Sequence, residues 1–78
     1  MSLAPAVIVA VPAGAGRFIP TFDGHPLCGP TTEPLLDGCR ALLARGVDRK
    51  SIAVMRHAGS DVDCLRARVG YAAARTVV

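Results

Sequence analysis

Tryptophan is absent from this chain, and Phe18, Phe22 and Tyr71 are the only aromatic residues among its 78. With 51% hydrophobic residues and so few rings, the core must be assembled from small aliphatic side chains. Lysine is nearly absent as well. Lys50 stands beside eight arginines and six acids, for a net charge of +3. The arginines are scattered, so the basic tract that marks a nucleic-acid binder is missing, and the bias against lysine reads as a bacterial-type genome composition. Cysteine is scarce and odd in number: Cys28, Cys39 and Cys64, with no CxxC pair. That excludes a secreted disulfide framework and points to reduced thiols in the cytoplasm. Cys28, Cys39, His57 and Cys64 are the right donor types for zinc but lack its short-spaced pairs, so no metal and no other cofactor is expected. No apolar run is long enough to span a bilayer, so a soluble protein without a membrane partner is expected.

The clearest positive signal is Thr31 to Gly46, TTEPLLDGCRALLARG. Leu35, Leu36, Cys39, Leu42 and Leu43 fall on the i, i+3, i+4, i+7 template of an amphipathic helix, and Glu33, Asp37, Arg40 and Ala44 mark the other side. Thr31 or Thr32 suits the N-cap, Pro34 the first turn, and Gly46 a left-handed stop after Arg45. Burying five such side chains yields on the order of 10 kcal/mol, whereas ordering the helix costs roughly 20 kcal/mol. The rest of the chain, or another chain, must supply the difference. Gly38 costs about 1 kcal/mol relative to alanine in a helix interior, and reads as tolerated rather than required.

The first sixteen residues, MSLAPAVIVAVPAGAG, superficially resemble a signal peptide but have no basic start, and Met1 to Leu3 are compatible with an expression remnant. A strand is the better reading. Ala6 to Val11 is a continuous, largely β-branched run expected to be buried on both faces or central in a sheet, with Pro12 ending it. Arg17 to Phe22 forms a second strand, with Phe18 and Phe22 on one face and Arg17, Ile19 and Thr21 on the other, and Pro20 marking an edge or a bend. Asp23-Gly24 predicts a type I′ hairpin turn into a short third strand, His25 to Cys28. After the helix, Ile52 to His57 forms a strand with Ile52, Val54 and Arg56 on one face and Ala53, Met55 and His57 on the other. Ser60 with Asp63 predicts a short helical turn over Asp61 to Arg68. Residues 71–78 are left open between helix, last strand and tail.

Few residues are placed for chemistry. Gly14 and Gly16 follow a strand, but position 19 is isoleucine and no helix follows, so a turn and not a dinucleotide loop is expected. On one short strand, His25 and Cys28 point to opposite faces and cannot pair as base and nucleophile. The segment Val54-Met55-Arg56-His57-Ala58-Gly59-Ser60 resembles, locally, the motif of histidine phosphatases, in which the arginine binds phosphate and the histidine becomes the nucleophile. Ala58 stands where that family has glycine, and too little chain follows to supply its second histidine. Membership is therefore rejected. What remains is a candidate anion site at Arg56, His57 and Ser60, with Arg66 and Arg68 nearby in sequence.

These readings combine into one small α+β domain over residues 1–78. It has an antiparallel sheet of three to five short strands in the order β-β-β-α-β, a short C-terminal helical turn and a possible last strand. The sheet packs on one amphipathic helix. A chain this short and this apolar is expected to close its surplus surface against a second copy as a homodimer. The expected function is a non-enzymatic, self-associating binding or accessory domain. An anion-binding module for a phosphorylated ligand or nucleic acid is the alternative, and a small hydrolase the second.

Overall fold

The structure is a computed structural model and describes residues 5–74. Five strands form one sheet in the order β3-β2-β1-β4-β5: β1 Ala6–Gly14, β2 Arg17–Phe22, β3 His25–Pro26, β4 Ile52–His57 and β5 Leu65–Arg68. Two helices, α1 Pro34–Ala44 and α2 Val69–Ala74, accompany it. This is the expected α+β domain. The sheet, however, is mixed. β1 pairs β2, β2 pairs β3 and β4 pairs β5 antiparallel, while β1 and β4 run parallel. The reason lies in the path. Thr31 bridges Phe18 near the β1–β2 turn, so α1 starts at that end of the sheet and carries the chain back before β4 sets out in the direction of β1.

Turn chemistry sets the hairpins. Asp23 and Gly24 both have positive φ, at 52° and 78°, as a type I′ turn requires, and Phe22 pairs with His25 across them. The β1–β2 connection is tighter than the sequence indicates. Pro12 does not end β1 but pairs with Phe18, and the strand runs on through an irregularity to Gly14, which pairs with Arg17. Pro12 lies beyond Ala10, the last β1 residue paired with β4, so its missing N–H leaves no bond unmade on that side. The third strand is shorter than expected, although the Leu27 N–H still donates to the Pro20 carbonyl at 2.8 Å.

Helix α1 is bounded much as its sequence predicts. Pro34 occupies the first turn, and Glu33 is the N-cap without a side-chain capping bond. Thr31 acts one step earlier: its hydroxyl accepts from the Glu33 N–H at 3.0 Å and donates to Asp37. At the other end, the Gly46 N–H reaches Leu43 O and the Val47 N–H reaches Leu42 O, the paired bonds of a Schellman motif, with Gly46 at φ 93°. Leu35, Leu36, Cys39 and Leu42 are buried, and Leu43 is half-buried. Gly38 is buried too, and it faces the sheet. A β-carbon there would sit 3.1 Å from Ile8 Cδ1, 3.3 Å from Pro20 Cβ and 3.5 Å from Leu27 Cδ1. The glycine therefore lets the helix approach the sheet closely, which replaces the reading that it is merely tolerated.

The segment after β4 departs furthest from expectation. The helical turn expected over Asp61 to Arg68 does not form. The Ser60 hydroxyl accepts from the Val62 N–H at 3.1 Å, a two-residue turn, and the Cys64 N–H donates to Met55 O at 2.8 Å. The chain is thereby drawn into the ladder as β5, pairing Leu65 with Met55 and Arg68 with Ile52. Helix α2 starts at once, its first N–H groups taken by loop carbonyls: Val69 to Ser51 O at 2.8 Å and Gly70 to Arg49 O at 2.9 Å. Arg40 Nε donates to Ala73 O at 2.9 Å and ties α1 to the end of α2. The last strand considered for residues 76–78 lies outside the described residues.

The core sits on one side of the sheet. Ile8, Ala10, Ala53 and Met55 meet Leu35, Cys39 and Leu42 of α1 and Val69, Ala72 and Ala73 of α2, with Phe18 and Phe22 packed at its margin.

Candidate functional site

Strand alternation sends every second residue to the opposite face of the sheet. The pairings Val9–Thr21, Val11–Ile19, Val7–Val54, Val54–Arg66 and Ile52–Arg68 identify the residues of that face, which lies away from the core. Its centre is apolar. Val7, Val9, Ile19 and Ile52 are half-buried, Val11 is exposed and Val54, hemmed by neighbouring strands, is buried. Its margins carry Arg17, Arg56, Arg66 and Arg68. Neither helix covers it, because both pack on Ile8, Ala10, Ala53 and Met55 across the sheet. The continuous apolar run of β1 thus has one face in the core and one that stays open.

The five residues singled out from sequence are divided by this geometry. Arg56, Arg66 and Arg68 share the open face. Arg56 Nε lies 2.5 Å from Asp63 Oδ1, so its charge is met within the chain, and Arg68 Nη1 donates to Lys50 O at 3.0 Å. His57 belongs to the other face, where its ring lies 5.2 Å from that of Phe18 at a tilt of 56°. Adjacent residues of a strand cannot do otherwise. Ser60 sits in the turn beyond, its N–H donating to His57 O at 3.0 Å and its hydroxyl engaged by Val62.

The thiols are separated as well. Cys39 is fully buried in α1, and burial pushes its thiol up to about 11. Cys28 is raised by burial and, to a smaller extent, by the Asp37 carboxylate. Cys64 is exposed on the loop before β5. A raised thiol is less often the thiolate that attacks or binds metal. No group of three or more metal-binding side chains and no pocket occurs among the described residues. No described helix is long and apolar enough to cross a membrane.

The open face was missed from sequence, and the signal for it is visible in retrospect. Val7, Val9 and Val11 alternate with Ile8 and Ala10, so β1 is apolar on both sides, while the described residues hold one long helix to cover it. No family model matches the chain, and neither a curated protein nor a solved structure does.

Proposed function

We propose that the chain is a small cytoplasmic binding or accessory domain that self-associates through the open face of its sheet and performs no chemistry of its own. The observation that carries this reading is the set Val7, Val9, Val11, Ile19 and Ile52, partly exposed around the buried Val54 on one face that neither helix covers. Contiguous apolar patches of this kind mark interaction surfaces more often than idle surface. The two raised thiols favour a non-enzymatic reading, since each is held further from its reactive form. Sedimentation equilibrium of the full chain tests the proposal: a dimer is expected, and Val9→Lys, which places a charge at the centre of the face, is expected to yield a folded monomer. A dimer indifferent to Val9→Lys would refute it.

A second reading draws on Arg56, Arg66 and Arg68 sharing one face, an arrangement suited to phosphate oxygens. Binding of a phosphorylated ligand or nucleic acid there would fall steeply with salt and be lost on replacing Arg56 and Arg66 by alanine. The face favours it less than the first reading, because Phe18 and Phe22 both lie on the core side and offer no platform for stacked bases.

A further inference from the structure

We propose that the corner formed by residues 45–51 and the β5–α2 junction binds single-stranded nucleic acid, with Arg49, Lys50 and Arg68 on phosphates and Tyr71 under one base. This surface lies beside the apolar part of the open face and does not depend on self-association. Cations scattered along the sequence are gathered here by the topology. β4 starts and β5 ends at the end of the sheet where α1 stops, so the connection after α1 brings Arg45, Arg49 and Lys50 to Arg68 at the close of β5. Three hydrogen bonds hold the corner together: the Val69 N–H donates to the Ser51 carbonyl at 2.8 Å, the Gly70 N–H to that of Arg49 at 2.9 Å, and Arg68 Nη1 to that of Lys50 at 3.0 Å. The Arg49 side chain also runs across Gly70, its Nε lying 3.1 Å from where a β-carbon on that glycine would stand. The next residue is Tyr71, 75% exposed and the one exposed aromatic side chain of the chain.

Most carboxylates lie elsewhere. Glu33, Asp37, Asp61 and Asp63 fall toward the opposite end, where α1 begins and β4 gives way to its loop, and Asp23 sits in the β2–β3 turn, across β1 and β4 from β5. Asp48 is the one acid of residues 45–51, and its Oδ1 accepts from the Lys50 N–H at 2.7 Å. Among the described residues the one ion pair is Arg56 with Asp63, so Arg45, Arg49, Lys50 and Arg68 meet no carboxylate there. Four cations less one acid give this corner +3, the net charge of the entire chain, so that the other five cations and five acids cancel. The side chains select the partner. Arg68 spends one N–H on Lys50 O and keeps the rest of its planar fork for phosphate oxygens. A lone phosphate would leave Tyr71 idle, and a duplex keeps its base faces stacked away from it. An unpaired strand supplies both charges spaced along a chain and open base faces for an aromatic ring.

Fluorescence anisotropy of the full chain with a labelled oligothymidylate of about twelve nucleotides, at about 50 and about 200 mM NaCl, tests the site, with folding of each variant checked by circular dichroism. Three phosphate contacts predict a slope of log affinity on log salt of about −2, a loss of about twentyfold across that range. Arg49→Gln combined with Lys50→Gln is expected to bring the slope to about −0.7. Tyr71→Ala is expected to weaken binding about tenfold at an unchanged slope, and Arg17→Gln, at the opposite end of the sheet, to change neither. Absence of binding at about 50 mM salt, or equal losses from Arg17→Gln and the paired variant, overturns the site. Binding that survives the corner variants and is lost with Arg56→Ala overturns it too, and leaves the phosphate reading of the open face standing. Equal competition by polyglutamate, or tighter binding of duplex with no effect of Tyr71→Ala, overturns the unpaired strand as the partner.

Discussion

Replacing Gly38 by alanine sets two known effects against each other at a single methyl group. In a helix interior the exchange gains about 1 kcal/mol, because alanine loses less backbone freedom than glycine on folding. Here the new methyl carbon would lie 3.1 Å from Ile8 Cδ1 and 3.3 Å from Pro20 Cβ. The isoleucine terminus can rotate aside. The proline ring cannot, since it is fixed to β2 and fully buried. Overpacking of this order costs about 1–3 kcal/mol, so the net effect is a loss of about 1 kcal/mol. For a domain of this size that lowers Tm by about 4–8 °C. Gly38→Val adds two further carbons on a stiff, β-branched side chain, and should lose about 3 kcal/mol. Urea titration followed by far-UV circular dichroism at fixed protein concentration reads both, with the midpoint moving and the slope unchanged. A Gly38→Ala variant more stable than the parent would refute the reasoning, because it would mean that α1 does not ride this closely on β1 and β2.

Gly70→Ala should lose more than Gly38→Ala, about 2–3 kcal/mol by the same titration, because its methyl carbon meets Arg49 Cβ at 2.9 Å and the Arg49 carbonyl oxygen at 3.2 Å, and a backbone carbonyl cannot turn away. The thiols should react with an aromatic disulfide reagent in the order of their exposure: Cys64 first, Cys28 more slowly, and Cys39 only at the rate of unfolding. Because folding raises the Cys39 thiol from 9.0 to about 11, the protonated form is the one the fold favours. Its contribution is whole below pH 9 and is lost as pH climbs through about 11, so the alkaline fall in stability should be shallower in Cys39→Ala than in the parent.

Helix α1 was legible in the sequence because every signal for it is local: the spacing of Leu35, Cys39 and Leu42, the proline at its start and the glycine beyond its end. The Asp23-Gly24 hairpin was legible for the same reason, since two positive φ angles demand those residue types. What decides the parallel β1–β4 pairing is not local. Nothing within Ile52–His57 says which strand it will lie beside, and the choice follows from α1 returning the chain to the end where β1 begins. The segment from Ser60 was misread because serine and aspartate favour a helix start and a tight turn alike. A long-range bond from Cys64 to Met55 O decided between them. The role of Gly38 was hidden for a related reason: the residues that crowd it, Ile8, Pro20 and Leu27, come from three other segments.

The candidate site was half legible. Strand periodicity had already put Arg56 and His57 on opposite faces, so the geometry that divides the proposed anion site was present in the sequence and only needed to be applied to it. The open face requires a further step, in which the supply of cover is compared with the demand for it. β5 shows that this chain can write an outward face in charged residues: Arg66 and Arg68 point away from the core while Ala67 points toward it. β1, two strands away, writes the same face in Val7, Val9 and Val11. The contrast between the strands confines the apolar part of the open face to the β1–β4 seam and does not extend it across the whole sheet. It also separates binding from folding at neighbouring positions. Val9→Thr keeps the shape and strand preference of valine on a half-buried surface, so the fold should keep its Tm within a few degrees while the proposed self-association weakens. Ile8→Thr puts the same hydroxyl into the fully buried core, where an unpaired hydroxyl costs about 1–3 kcal/mol beyond the lost packing, and the fold itself should fail first. Equal effects of the two substitutions on stability would mean that the face of β1 away from the helices is structural and docks nothing.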